Sequence, residues 1–228
     1  MRFLIFDTET TGLPETKIIN PYTLHQWPSI VQFSYIIYNL SSNEIIEAKD
    51  YIIKVPENVL ISEESVKIHG ITNKISAEKG IPINTVLNEF YEDLINVDMI
   101  IGHNINFDIN MIKVELLRNI YNNENDYQLS LNKKNLHFIN NYKNIFCTLK
   151  ESINFCAIKA LDKYGREYFK YPKLTELHKK LFDSEPSNLH NSFNDVLVTL
   201  RCFVKLRYGN DLLDNCYTFK NYSNLVGL

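Results

Sequence analysis

The chain opens on an uninterrupted apolar run, "RFLIFD", residues 2–7, which reads as a buried strand. Two β-rich runs follow, "SIVQFSYIIY" at 29–38 and "EIIEAKDYIIKV" at 44–55, separated by the turn-like "NLSSN". Three strands with short or polar connections predict an antiparallel meander. From residue 62 the pattern becomes helical. "SEESVKIHG" offers Ser62 as N-cap and Gly70 as stop. "NTVLNEFYEDLINV" sets Val86, Leu87, Phe90, Leu94 and Ile95 on one side of a second helix. "DMIIG" is a short strand, and "NINFDINMIKVELLRNIY" a helix with the stripe Ile105, Ile109, Ile112 and Leu116. Residues 119–144 are polar and Asn-rich and read as an insertion loop. Further helices are expected from Thr148, Lys173 and Asn191. Strands first, then helices alternating with strands, predict an α/β fold with a mixed sheet flanked by helices.

The 228 residues suit one domain, expected over 1–209, with a C-terminal tail, 210–228, of no evident role. Hydrophobic residues make up 45% and aromatics 12%, an ordinary globular composition. No apolar run approaches the ~20 residues that span a bilayer, and the N-terminus turns acidic too early for a signal peptide. An intracellular, cytoplasmic location without membrane partners is expected, or a nuclear one in a eukaryotic or viral setting. Cys147, Cys156, Cys202 and Cys216 are widely spaced, with no CxxC pair, and are expected to be reduced structural thiols. A net charge of −3 argues at first against a polyanionic partner. Discounting four carboxylates as metal ligands turns the remainder positive, so overall charge decides little.

The chemistry is carried by where the acids fall. In a strand Phe3, Ile5, Asp7 and Glu9 share one side, so two acids emerge at the C-terminal end of a buried strand. That end is where open α/β sheets bind ligands. The plain alternative is an acidic turn, with Asp7 capping a helix and Glu9 solvated. Asp108, in "IGHNINFDINMI", borders an apolar stripe; alternatively it only answers the helix dipole, with His103 and Asn104 as caps. Asp195, in "LHNSFNDVLVTLRCF", adjoins the apolar Val196, Leu200 and Phe203; alternatively it forms a capping box with Ser192. His190, alone in a polar lead-in, would ordinarily be a surface residue. Taken together, four carboxylates stand at element ends with apolar neighbours. Burying them without cations costs several kcal/mol per ion. Hard divalent cations with oxygen ligands remove that cost.

"FDTETTGL", "HNINFD" and "HNSFND" resemble, in order and spacing, the three motifs of the DEDDh (DnaQ-like) family of 3′–5′ exonucleases. That family has the ribonuclease H-like fold and includes the proofreading subunit of bacterial DNA polymerase III. "SVKIHGITN" and "YPKLTELHKKLF" extend the resemblance over most of the chain. Cys147-Thr148 stands where many members carry Asp-Thr, and Ser192 where Ala is common.

The resemblance implies that Asp7, Glu9, Asp108 and Asp195 hold two Mg²⁺ ions, with Mn²⁺ able to substitute, and that His190 is the general base. Two such ions stand about 4 Å apart and clamp the scissile phosphate. A side chain that changes charge near neutral pH suits the base. Thr10, Thr11 and Gly12 resemble the segment that receives the terminal nucleotide, Leu13 a wedge against its base and Phe107 a stacking surface, with core packing the alternative for the last two. His69 and Asn104 are further substrate-binding candidates. Two basic and aromatic stretches, one with Lys163, Arg166, Lys170 and Lys173 and one within the 119–144 segment, suit either a single strand or plain solvation. The implied partner is a nucleic acid with a free 3′ end, single-stranded DNA favoured and RNA the alternative. A polymerase, if there is one, would be a separate chain. A non-catalytic binding module is the rival class, and the intact acid-and-histidine set weighs against it.

Overall fold

The structure is a computed structural model that describes residues 1–122 and 125–228. β1 (Arg2–Thr10), β2 (Ile30–Asn39) and β3 (Glu44–Ile52) form the expected antiparallel meander. The chain then runs through α1 (Glu63–His69), α2 (Asn73–Lys79) and α3 (Ile83–Leu94) to β4 (Met99–Gly102) and α4 (Asn106–Asn122). α5 (Asp126–Asn141), β5 (Ile145–Cys147), α6 (Thr148–Glu151) and α7 (Ile153–Cys156) follow. A small hairpin, β6 (Lys159–Leu161) and β7 (Glu167–Phe169), precedes α8 (Leu174–Phe182) and α9 (Ser192–Tyr208), and α10 (Leu212–Asn215), α11 (Tyr217–Ser223) and a 3₁₀ turn at Asn224–Val226 end the order. Among the described residues the main sheet runs β3-β2-β1-β4-β5, with β4 parallel to both neighbours.

Strand alternation sorts the core into two layers. Leu4 and Phe6 face one layer with Phe33, Tyr35 and the stripe of α4, while Phe3 and Ile5 face the other with Ile36, Tyr38 and α9. β4 pairs only with Phe3, Leu4 and Ile5. β1 pairs with β2 as far as Thr10, so its last residues overhang the parallel side of the sheet. Gly102 allows the tight exit from β4, because a Cβ there would meet Ile105 Cβ at 3.0 Å and the Phe6 carbonyl at 3.3 Å. The strand's acid-bearing end and the start of α4 are thereby set side by side.

Ser62 caps α1 by accepting the Ser65 N–H at 3.1 Å, and Gly70 ends it in the left-handed region, as the spacing predicts. The four cysteines are buried free thiols. No helix among the described residues is long and apolar enough to cross a membrane.

Two expectations are corrected. Ile95 is not part of the buried face of α3; it lies past the helix end and is 49% exposed. The 119–144 segment is not a loop: α4 continues to Asn122, and α5 fills 126–141 with Asn125 capping it. Positions 123 and 124 lie outside the described residues. The buried row of α5 is Asn132, Asn135 and Ile139, so its inward stripe is mostly asparagine and shows no apolar period. The tail after Gly209 is folded into the second core layer through Leu212, Cys216, Phe219 and Val226. Arg201 clamps its start, with Nε and Nη2 at 2.8 and 2.7 Å from the two oxygens of Asp211.

Phe203 is fully buried against Phe3, Phe146 and Tyr208, with ring centroids at 5.2, 5.0 and 5.9 Å. Phe203→Ala should cost about 3–5 kcal/mol of unfolding free energy, measured by urea denaturation. A loss under about 1 kcal/mol would mean that the α9 layer is not packed as described.

Candidate active site

Asp7 and Glu9 point to the α9 side of β1, and Asp195 meets them from the first turn of α9. One carboxylate oxygen from each lies within 4.8 Å of the others. Asp108 stands outside this triplet, in the first turn of α4, and is 2% exposed. Its Oδ1 accepts the Thr8 N–H at 3.0 Å and the Thr8 hydroxyl at 2.7 Å. Thr8 lies in the overhang of β1 beyond β4, so Asp108 takes a backbone donor that has no β4 partner there.

The start of α9 is sewn to β1 and β2. The Ser192 hydroxyl donates to the Asp7 carbonyl at 2.6 Å, and its N–H donates to Gln32 Oε1 at 3.1 Å. Asn191 is the N-cap, accepting the Asn194 N–H at 3.3 Å. Asp195 Oδ2 accepts the N–H of His190 at 3.1 Å. Ser192 and Asp195 therefore form no capping box: the serine anchors the strand and the aspartate reaches back past the cap.

Burial and mutual repulsion dominate the electrostatics. Burial raises the Asp7 carboxyl well above its ordinary range, and Asp108, Asp195 and Glu9 push the same way. Glu9 is raised to about 8 by burial, then by Asp195 and Asp108. Asp108 is raised to about 7 by burial, which outweighs its bonds from Thr8. Asp195 is raised to about 7, again by burial, against the His190 N–H. No basic side chain figures among these causes. Solvated acids on a turn would not behave so. Clustered hard oxygen donors without a cationic side chain fit Mg²⁺ or Mn²⁺, whose charge would replace the protons that the cluster otherwise retains.

The other candidates gather around this cluster or stand apart as follows. His190 is exposed, immediately before α9, with φ of 67°. A left-handed backbone costs a residue with a Cβ roughly 1–2 kcal/mol, and the bond to Asp195 helps hold it. His69 Nδ1 accepts the Ile71 N–H at 3.0 Å, so Nε2 carries the proton and donates to the Thr10 carbonyl at 3.2 Å. Burial lowers its proton affinity.

The hydroxyls of Thr10 and Thr11 are spent on backbone groups, one within the loop and one outside it. Thr10 Oγ1 donates to the Gly12 carbonyl at 2.7 Å, and Thr11 Oγ1 accepts the Ser29 N–H at 3.0 Å. A Cβ on Gly12 would meet nothing within 4 Å, so the fold does not itself require glycine there. Leu13 is 85% exposed, which excludes core packing as its role. Phe107 is half-buried against the α4-side core, and Asn104 is exposed with φ of 67°.

His103 does not cap α4. Its ring ties the strand end to Thr148 Oγ1 at 3.0 Å and the Pro172 carbonyl at 3.1 Å, and burial lowers its pKa to about 4. In the first basic stretch Arg166 pairs with Asp162 at 2.7 Å and Lys170 with Glu176 at 2.5 Å, while Tyr164, Tyr168, Phe169 and Tyr171 remain exposed. In the second, Lys134 lies over the Tyr91 ring at 5.5 Å. Sequence reasoning missed Thr8, Gln32 and the anchoring hydroxyl of Ser192. Only the departure at Ser192, hydroxyl where alanine is common, signalled any of them.

The family model for RNase T-type sequences, described as Exonuclease, matches residues 4–203. The DNA polymerase III subunit epsilon of Buchnera aphidicola subsp. Acyrthosiphon pisum is 27% identical over 233 residues, covering 98% of this chain and 81% of that one. Its namesake from Buchnera aphidicola subsp. Schizaphis graminum is 29% identical over 149 residues, 65% of this chain and 54% of that one. Exonuclease I from Methylocaldum szegediense has a similar fold, with a TM-score of 0.61, 20% identity, and 93% and 42% of the two chains covered. E. coli exonuclease I, solved with a dT13 oligonucleotide, gives 0.58 and 22%, over 91% and 42%. The chain thus spans less than half the length of these exonuclease I chains. The mixed sheet flanked by helices is the ribonuclease H-like arrangement they share.

Unfolded, the four carboxyls titrate near 4. Folded and metal-free, Asp108 and Asp195 keep protons to about pH 7 and Glu9 to about pH 8. The folded state binds more protons across that window, so these groups' contribution to stability is present below about pH 4 and lost as pH rises towards 8. Asp195→Asn removes one repelling charge and should raise the metal-free Tm at pH 8, at about 2–4 °C per kcal/mol, with little effect at pH 5. Mg²⁺ or Mn²⁺ should raise the wild-type Tm at pH 8 and raise that of Asp195→Asn less. Differential scanning calorimetry at both pH values reads this. A variant less stable than wild type at pH 8 without metal contradicts it.

Proposed function

This chain belongs to the RNase T family of exonucleases, and on that footing we propose that it is a metal-dependent 3′–5′ exonuclease. Its substrate on this reading is DNA with a single-stranded or frayed 3′ end, from which it releases nucleoside 5′-monophosphates. The observation that carries the reading is the convergence of Asp7, Glu9 and Asp195 within 4.8 Å, with buried Asp108 beside them. DNA is favoured over RNA because relatives carry the name of a DNA polymerase subunit and exonuclease I was solved with an oligo-dT.

Asp7, Glu9, Asp108 and Asp195 would hold the cations. Bound there, the cations supply Lewis-acid charge to the phosphate and the attacking water. His190 takes the proton from that water at its imidazole, which its exposed position before α9 leaves open to a ligand. The loop Thr10–Leu13 receives the terminal nucleotide. Thr10 stiffens the loop from within and Thr11 ties it to Ser29, while Leu13 projects outward to meet the base. His69 braces the same loop through the Thr10 carbonyl, and Phe107 and Asn104, at the start of α4, are assigned to the substrate as well. Pre-set donors and a stiff loop lower the cost of orienting the strand end. A DNA polymerase, as a separate chain, is the proposed partner.

Single-stranded DNA and RNA of matched sequence, labelled at either end, test the reading. With Mg²⁺ or Mn²⁺, 3′-labelled DNA should lose its label as a mononucleotide at once, while 5′-labelled DNA yields a ladder. His190→Ala should lower kcat about 10²–10⁴-fold and leave KM within a few-fold. Binding without any metal-dependent shortening would overturn the enzymatic reading in favour of a binding module. Full activity in His190→Ala would remove that residue's role.

A further inference from the structure

The loop that carries His190 runs from Asp183 to Asn191, and most of its residues are exposed. Its hold on the rest of the molecule is unusual. At its start the Ser184 carbonyl lies 2.8 Å from His178 Nδ1. At its end the His190 N–H reaches Asp195. Between them, two bonds come from the C-terminal segment, over thirty residues further along the chain. The Ser187 N–H donates to the Val226 carbonyl at 2.9 Å, and Asn188 Nδ2 donates to the Leu225 carbonyl at 3.0 Å. From the other side Asn194 Nδ2, on α9, donates to the Asn188 carbonyl at 2.7 Å.

The segment that grips the loop is itself rooted. Val226 and Phe219 are fully buried in the α9 core layer, and the Tyr222 ring meets Phe193 edge-on at 5.5 Å. Gly227 is fitted to the contact. Its φ is +67°, and a Cβ there would stand 2.5 Å from Ser187 Oγ and 3.4 Å from Ser187 Cβ. The chain therefore has a glycine where the tail must lie flush against the loop.

From this geometry we infer that Leu225, Val226 and Gly227 are positioning residues for His190: the C-terminal segment sets the height of the 187–190 backbone, and so where the imidazole is held relative to the acidic cluster. The inference rests on the exonuclease reading above and on His190 being its base. It gives residues 210–228 a part in the reaction without any of them touching substrate. A displacement of the base by a fraction of an ångström slows the proton transfer and leaves strand binding and metal binding alone.

Gly227→Ala, made in the full chain, tests it. The expected result is a kcat lower by roughly 10–100-fold, with KM for the oligonucleotide and the half-saturating Mn²⁺ concentration unchanged. Ser187→Ala removes the clashing Oγ, so Ser187→Ala/Gly227→Ala should recover much of that loss. In a His190→Ala background Gly227→Ala should cost nothing further, because the group it misplaces is already gone. Should Gly227→Ala fold poorly, Asn188→Gly keeps the left-handed backbone and deletes only the bond to Leu225; it should show the same kcat-only loss in milder form. Wild-type kcat in both variants overturns the inference, as does an equal loss with and without His190. A fully active His190→Ala would overturn the assignment of the base and this inference with it, whereas a crippled His190→Ala beside a fully active Gly227→Ala would overturn this inference alone.

Discussion

Four carboxylates gathered at one end of the sheet, three of them half-buried in a close triplet and Asp108 buried beside it, are the constraint to which the rest of the molecule answers. Asp7 and Glu9 come from one strand, Asp108 from the helix after β4, and Asp195 from α9, far further along the chain. Asp108, Asp195 and Glu9 raise the proton affinity of Asp7, Asp195 and Asp108 raise that of Glu9, Asp195 raises that of Asp108, and burial raises all four. Such a cluster is stable only with protons on it or positive charge within it. The charge is not provided by any lysine or arginine among the causes of these shifts. Protons answer it in the metal-free chain, and divalent cations are the other chemical answer that this set of oxygen donors fits.

The sheet provides the room for this. Because β4 stops opposite Ile5, the last residues of β1 project past the parallel half of the sheet. The freed Thr8 N–H is given to Asp108 rather than to a strand, which places the acid and saturates the backbone in one contact. On the opposite face the hydroxyl of Ser192 holds the Asp7 carbonyl, so strand and helix cannot drift apart without breaking this partly buried bond. The acids are therefore fixed by neutral donors on the backbone and on hydroxyls. Those bonds only partly offset burial and repulsion, and the carboxyls stay raised towards neutral pH.

Much of this was legible in the sequence because strand parity and helical period are strong local signals. Phe3, Ile5, Asp7 and Glu9 do share a side, and Ile105, Ile109, Ile112 and Leu116 do form one buried stripe. What stayed hidden was hidden for physical reasons. The inward row of α5 uses Asn132 and Asn135 where a periodicity argument looks for apolar residues. Ser192 looks like half of a capping box until the fold brings Asp7 to it. The grip of Val226 on Ser187 joins positions with no pattern in common, and only the folded chain makes them neighbours. Long-range backbone contacts of this kind leave no mark on composition or spacing.

The claim that a cation is what the four acids bracket is met most directly by crystals soaked in Mn²⁺, with data collected at the manganese absorption edge. An anomalous peak bound by Asp7 and by carboxylate oxygens of its three companions is the predicted result. Crystals that take up no manganese there, with the acids instead bonded in proton-sharing pairs, would contradict it.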